Sequence, residues 1–120
     1  MRKITTVLLM ACVVMLFAAC QKEGVYNPSK KISRIYHTSS DGRKSLEEVW
    51  TWNKNNTLEK IDYYEGNSIW RTCNYTYDNK RLVKINDYTH NEYVEFKYDG
   101  YKLKEANCYD DNILYGIYTF

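Results

Sequence analysis

The chain has 120 residues, with 17 Lys and Arg against 15 Asp and Glu, 4 Cys and a single Pro. That length holds one small domain beyond any leader. The small charge surplus leaves no strongly basic face of the kind that binds nucleic acid or an anionic membrane.

The N-terminus opens on Arg2 and Lys3, followed by the apolar run from Val7 to Leu16 and then Phe17-Ala18-Ala19-Cys20. The stretch Ile4–Ala19 contains Thr5 and Thr6 and falls short of the about 20 apolar residues that a spanning helix needs. A charged start ahead of roughly 7–15 apolar residues is the pattern of a secretory signal. With its small-small-Cys stop, the segment resembles a bacterial lipoprotein signal peptide. Phe17 stands where such peptides usually carry Leu, and Leu16 lies one place earlier.

The resemblance implies a signal peptide over 1–19, a lipid on the Cys20 thiol and a lipidated tether over 20–31. Several acyl chains on one residue exceed what stable anchoring requires. Glu23, shortly after Cys20, is similar to the surface-export signal of Bacteroidota-type lipoproteins. The implied address is the cell envelope, anchored to the outer membrane by lipid and exposed at the surface. Removal of 1–19 takes away Arg2 and Lys3, so 15 basic side chains then balance 15 acidic ones. Cys12 leaves and Cys20 is acylated. Cys73 and Cys108 remain, in a compartment that permits disulfides.

The domain expected over 32–120 repeats itself. Trp50-Thr51-Trp52-Asn53 is followed by Leu58, Ile61 and Tyr64; Tyr75-Thr76-Tyr77-Asp78 by Leu82, Ile85 and Tyr88; and Phe96-Lys97-Tyr98-Asp99 by Leu103, Ala106 and Tyr109. The second aromatic recurs at 52, 77, 98 and 120, a period of about 21–25 residues that marks a repeat architecture. Ile32 and Ile35 fit the back half of an earlier, partial unit. Tyr118-Thr119-Phe120 resembles the opening of a further one.

Each unit alternates as a strand does, as in Val94-Glu95-Phe96-Lys97-Tyr98. Asp41-Gly42, Asp78-Asn79-Lys80 and Asp99-Gly100 are turn chemistry at one end; Glu65-Gly66-Asn67-Ser68 and Thr89-His90-Asn91-Glu92 serve the other. The expected fold is all-β, an antiparallel meander of hairpins in a single curled sheet. Its eight strands are expected near 31–37, 46–53, 57–64, 68–77, 81–88, 92–98, 102–109 and 113–120. A hairpin over 73–88 puts Cys73 opposite about Asn86, and Cys108 three strands away. Neighbouring strands lie about 4.8 Å apart, too far over three steps for a disulfide, so both thiols are expected free.

The residues Tyr75-Thr76-Tyr77-Asp78 with Leu82, and Phe96-Lys97-Tyr98-Asp99-Gly100 with Leu103, resemble the YD-repeat (Rhs-like) β-hairpin family over 50–120. The family's glycine is missing from Lys80-Arg81-Leu82, and Asn53 replaces the usual Asp. Large members of that family form shells around a cargo; about three units are too few to enclose one.

The chain lacks the nucleophile elbow, the phosphate loop and the dinucleotide fingerprint, and the expectation is a protein that is not an enzyme. His37 and His90 fall in or beside expected turns, read as solvated and without ligand partners at metal spacing. Asp110-Asp111-Asn112 lacks the calcium-loop grid and reads as a polar turn. No cofactor or metal is expected. Tyrosine ladders stabilise hairpins by cross-strand pairing of roughly 0.2–1 kcal/mol per pair.

The functional expectation is a non-enzymatic binding role at a membrane surface, toward a glycan or another envelope protein. Trp50, Trp52 and Trp70 are the candidate contact residues. The alternative is a structural or accessory lipoprotein without a small ligand, or a shortened repeat protein that associates edge to edge. A further alternative is an inhibitor-like protein that docks by strand addition.

Overall fold

The computed structural model describes residues 30–120. The expected signal peptide, Cys20 and the tether up to residue 29 lie outside the described residues. Within 30–120 the chain forms β1 (Arg34–Thr38), β2 (Lys44–Trp52), β3 (Leu58–Glu65), β4 (Ser68–Asp78), β5 (Arg81–Asp87), β6 (Glu92–Asp99), β7 (Lys102–Asp110) and β8 (Ile113–Thr119). They lie side by side in chain order as one open antiparallel sheet, the meander expected from the sequence. Among the described residues no helix is long and apolar enough to cross a membrane.

The largest boundary difference is at the start. Residues 31–33 precede β1, although two of their carbonyls still bond to β2. Ser33 O accepts from the Trp50 amide at 3.0 Å, and Ile32 O accepts from Trp52 Nε1 at 2.7 Å.

Two turns have positive φ at both loop residues. Asn79 and Lys80 stand at +48° and +64°, and Asp111 and Asn112 at +49° and +65°. This is the two-residue loop whose twist matches that of the flanking strands. Asp110-Asp111-Asn112 is thus a hairpin turn, as expected. Lys80 holds the left-handed conformation that a glycine would take without steric cost.

The register shifts in six of the seven strand pairings; only β5–β6 runs unbroken. In three hairpins the shift recurs at the same place, leaving Trp52 opposite Leu58, Tyr77 opposite Leu82 and Tyr98 opposite Leu103. Glu59, Val83 and Lys104 are the residues skipped. This accounts for the Leu-x-x-Ile spacing. Residues three apart on a regular strand point to opposite faces; one bulged residue between them returns both to the same face. The bulge therefore puts Leu58 with Ile61, Leu82 with Ile85, and Leu103 with Ala106.

One face of the sheet is apolar. Tyr75, Ile85, Val94 and Cys108 lie in register across β4–β7, and Phe96, Ala106 and Tyr118 continue the core toward β8. Ile85 and Ala106 are fully buried, with Tyr77, Leu82, Tyr98 and Leu103 packed around the core. Tyr98 Oη donates to Leu82 O at 2.7 Å, and the Arg81 guanidinium lies 4.9 Å from the Tyr98 ring centre, joining neighbouring hairpin ends.

The opposite face is polar. Thr51, Lys60, Asn74 and Asn86 form one row. Lys97 pairs with Glu105 at 3.1 Å, and Tyr93 stacks on Tyr109 at 4.5 Å.

Cys73 on β4 and Cys108 on β7 are free and buried, as the three-strand separation required. Cys73 pairs with Asp87 rather than Asn86. Burial pushes the Cys73 thiol up to about 12 and the Cys108 thiol up to about 11.

Two outcomes follow. Lys80→Gly makes the turn Asn-Gly and should raise stability by about 0.5–1 kcal/mol, read from urea denaturation; an unchanged or lower midpoint would contradict the left-handed assignment. Iodoacetamide at pH 8 should leave both thiols unmodified in the folded protein and alkylate both after unfolding, because only thiolates react at an appreciable rate; mass spectrometry reads the difference.

Candidate functional site

The apolar face carries charge at one place. The alternation that buries Cys73 and Tyr75 on β4 also turns Arg71 inward. On β5 the position of Ile85 fixes that of Asp87, and on β6 Val94 and Phe96 fix that of Glu92. Arg71, Asp87 and Glu92 are all buried. Register sets Asp87 opposite Glu92, and Glu92 opposite Asp110, so acids on three adjacent strands share this face.

Arg71 and Asp87 form the central pair. Nε lies 2.8 Å from Asp87 Oδ2, with the side chains 9% and 0% exposed. The short distance is an ion-pair contact rather than an aligned hydrogen bond, since Arg71 Nε and Nη2 are both buried without a hydrogen-bond partner. Asp87 is better satisfied. His90 Nδ1 lies 2.8 Å from Oδ2; an ionised carboxylate only accepts, so Nδ1 is the nitrogen that carries the proton. Oδ1 accepts from the amides of Thr89 at 3.0 Å and His90 at 3.3 Å. Asp87 thereby builds the β5–β6 turn. Thr89 Oγ1 in turn accepts from the Thr72 amide at 3.3 Å.

Aromatic rings complete the corner. The Arg71 guanidinium carbon lies 5.7 Å from the Tyr63 ring centre. Tyr63 is 6.2 Å from Trp70, and Trp70 meets His90 edge-on at 6.1 Å. Tyr63, Arg71, Asp87, His90 and Trp70 therefore form a closed circuit of contacts. Trp70 occupies the bulge that separates the Tyr63–Arg71 and Tyr64–Ile69 pairs, and is 46% exposed.

The three tryptophans divide. Trp50 and Trp52 lie 6.1 Å apart and pack against the core. Trp50 Nε1 donates to Glu48 Oε2 at 2.6 Å, and the Lys31 ammonium lies 6.0 Å from the Trp52 ring. Trp70 instead joins the charged circuit. His90 is an exposed turn side chain, as expected, and its ring also contacts Asp87 and Trp70. His37 lies near the end of β1, beside the turn as expected, 3.8 Å from Glu47 Oε1. Arg71, Asp87 and Glu92 went unread as site residues, although the period-two alternation placed all three on the apolar face.

Burial raises the Glu92 carboxyl above its ordinary value; Asp87 and Asp110 add to the rise, and Arg71 and His90 oppose it. Cys73, opposite Asp87, is held protonated by burial, the reverse of an activated nucleophile. The corner thus sets a buried guanidinium and buried carboxylates beside an accessible indole. Among the described residues no group of three or more His, Cys, Asp or Glu is placed to hold a metal ion.

Arg71→Met should cost about 3 kcal/mol by leaving the Asp87 charge buried and unpaired. The double variant with Asp87→Asn should lose less, because Asn still accepts from the turn amides; equal losses in urea denaturation would contradict a charge-pair role. Glu92 binds its proton more tightly folded than unfolded, so its contribution to stability falls as pH rises past the ordinary carboxylate value. Glu92→Gln should therefore flatten the pH dependence and gain on the wild type between pH 4 and 7; a constant difference across that range would contradict it. No family model, curated protein or solved structure matches the chain.

Proposed function

We propose that the protein is a cell-envelope lipoprotein, acylated at Cys20 and held on the outer membrane, whose sheet binds a partner at the Trp70 corner rather than catalysing a reaction. The observation that carries the binding role is Trp70 itself. It is half-exposed, yet its ring is braced by Tyr63 and His90. A braced indole presents a large contact area with little conformational entropy left to lose, which is what an anchor residue needs. The envelope address is supported by Arg2-Lys3, the apolar run and Phe17-Ala18-Ala19-Cys20. The YD-like reading is supported by Tyr75-Thr76-Tyr77-Asp78 with Leu82 and Phe96-Lys97-Tyr98-Asp99-Gly100 with Leu103.

A second reading, edge-to-edge assembly, draws support from β8. It is the outer strand of the described sheet and exposes Ile113, Leu114 and Ile117. It carries no charged side chain of the kind that blunts an edge.

Two measurements test the proposal. Protease treatment of intact cells, followed by blotting for residues 30–120, should remove the signal; protection until lysis would overturn surface exposure. In a Trp50→Phe/Trp52→Phe variant Trp70 is the only indole left, and acrylamide should quench it strongly. Weak quenching would overturn Trp70 as a contact residue.

A further inference from the structure

We infer that the sheet stands end-on on an anionic lipid surface, resting on the basic turns at the end where the chain enters and holding the Trp70 corner away from the membrane. This rests on the reading of Cys20 as acylated, and adds the headgroup charge and the end of the sheet that meets it.

In a meander, successive turns alternate between the two ends of the sheet. The β2–β3, β4–β5 and β6–β7 turns therefore share one end, and the β1–β2, β3–β4, β5–β6 and β7–β8 turns share the other. Residues 30–33 belong to the first end, because Ser33 O and Ile32 O bond to Trp50 and Trp52 at the close of β2.

Charge divides between these ends. In its turns and the strand residues beside them, the entry end carries Lys30, Lys31, Lys54, Lys80, Arg81 and Lys102 against Asp78 and Asp99. The far end carries Asp41, Glu65, Asp87, Glu92, Asp110 and Asp111 against Arg43 and Lys44; Arg71 offsets Asp87, and an acidic excess remains. The near balance of charge over the whole chain conceals this separation, which appears only once the topology assigns each turn to an end. Lys54, Lys80 and Lys102 are exposed and form no ion pair among the described residues. Their turns lie two strands apart, so the row advances in steps of about 10 Å. Such a row matches a continuous anionic surface better than one compact anion.

Chain length sets which end reaches the membrane. The ten residues from Cys20 to Lys30 span at most about 33–36 Å. A nine-residue strand such as β2 is about 30 Å long. Setting the far end on the surface would lift Lys30 by that length and use nearly the whole reach; setting the entry end there uses almost none. Anionic headgroups attract the basic end and repel the acidic one, over a screening length of about 8 Å at physiological salt. Tyr101, 76% exposed beside Lys102, is placed to enter the headgroup layer, where tyrosine settles. The row orients a sheet that the acyl chains already hold.

The test uses the protein as cells produce it, with mass spectrometry first reading the acyl chains on Cys20. It is reconstituted into phosphatidylcholine vesicles with nitroxide-labelled headgroups, with or without phosphatidylglycerol. A fluorophore goes on Tyr101→Cys or on Tyr88→Cys, exposed turn residues at opposite ends; Cys73 and Cys108 are buried and stay unlabelled. With phosphatidylglycerol present, quenching at 101 should exceed that at 88 several-fold. Omitting phosphatidylglycerol, raising salt, or combining Lys54→Gln, Lys80→Gln and Lys102→Gln should each cut the quenching at 101. Two results overturn the orientation: equal or stronger quenching at 88, or quenching at 101 that ignores headgroup charge, salt and the lysines. An unacylated Cys20 overturns the lipoprotein reading and this inference with it; an acylated Cys20 with either of those results overturns the orientation alone.

Discussion

A single sheet has two faces and, among the described residues, nothing stacked on either. Every feature of this protein answers to that constraint. Apolar side chains on one face must be covered by their own neighbours, and small aliphatic residues are too short to do so. Tyr75, Phe96 and Tyr118 stand tall enough beside Ile85, Val94 and Ala106 to close over them. The abundance of tyrosine is thus a packing solution before it is anything else. A tyrosine also keeps a hydroxyl that can reach a partner, as Tyr98 does at Leu82 O, so the covering layer tolerates its contact with water.

The same constraint makes the bulges necessary. Leucine and isoleucine three residues apart both have to reach the one face that gets covered. Displacing a single residue in each hairpin achieves this and also increases the local twist. Where the covering thins, beside Trp70, the face takes on Arg71, Asp87 and Glu92. These groups are buried, and a buried charge is costly unless paired. Asp87 is paired on every side. Arg71 is held by Asp87 and the Tyr63 ring, with Nη2 left without a hydrogen-bond partner.

Most of the fold was legible in the sequence because hairpin signals are local. Asp78-Asn79-Lys80 and Asp110-Asp111-Asn112 announce turns through residues that tolerate positive φ, and alternation marks the strands between them. Cysteine pairing followed from counting strands. The bulges went unread, although the odd Leu-x-x-Ile spacing already conflicted with a regular strand. Most of the site was missed for a related reason. Glu92 looked like part of a turn, and Asp87 and Arg71 drew no notice, because charged residues near strand ends are usually solvated. Only their phase relative to Ile85, Val94 and Cys73 puts them inside. Trp70 was singled out for its residue type; its ring partners His90 and Tyr63 depend on a bulge that the sequence pattern did not reveal.

The central claim is that this face closes over itself and that stability resides in the rows running through β4–β7. Native-state amide hydrogen exchange tests it most directly. The slowest exchange should fall at Tyr75, Ile85, Val94 and Cys108, at rates set by global unfolding, with β1 and β8 opening at much lower cost. Uniformly fast exchange across the sheet, or protection that appears only when the protein self-associates, would contradict a self-covering single sheet.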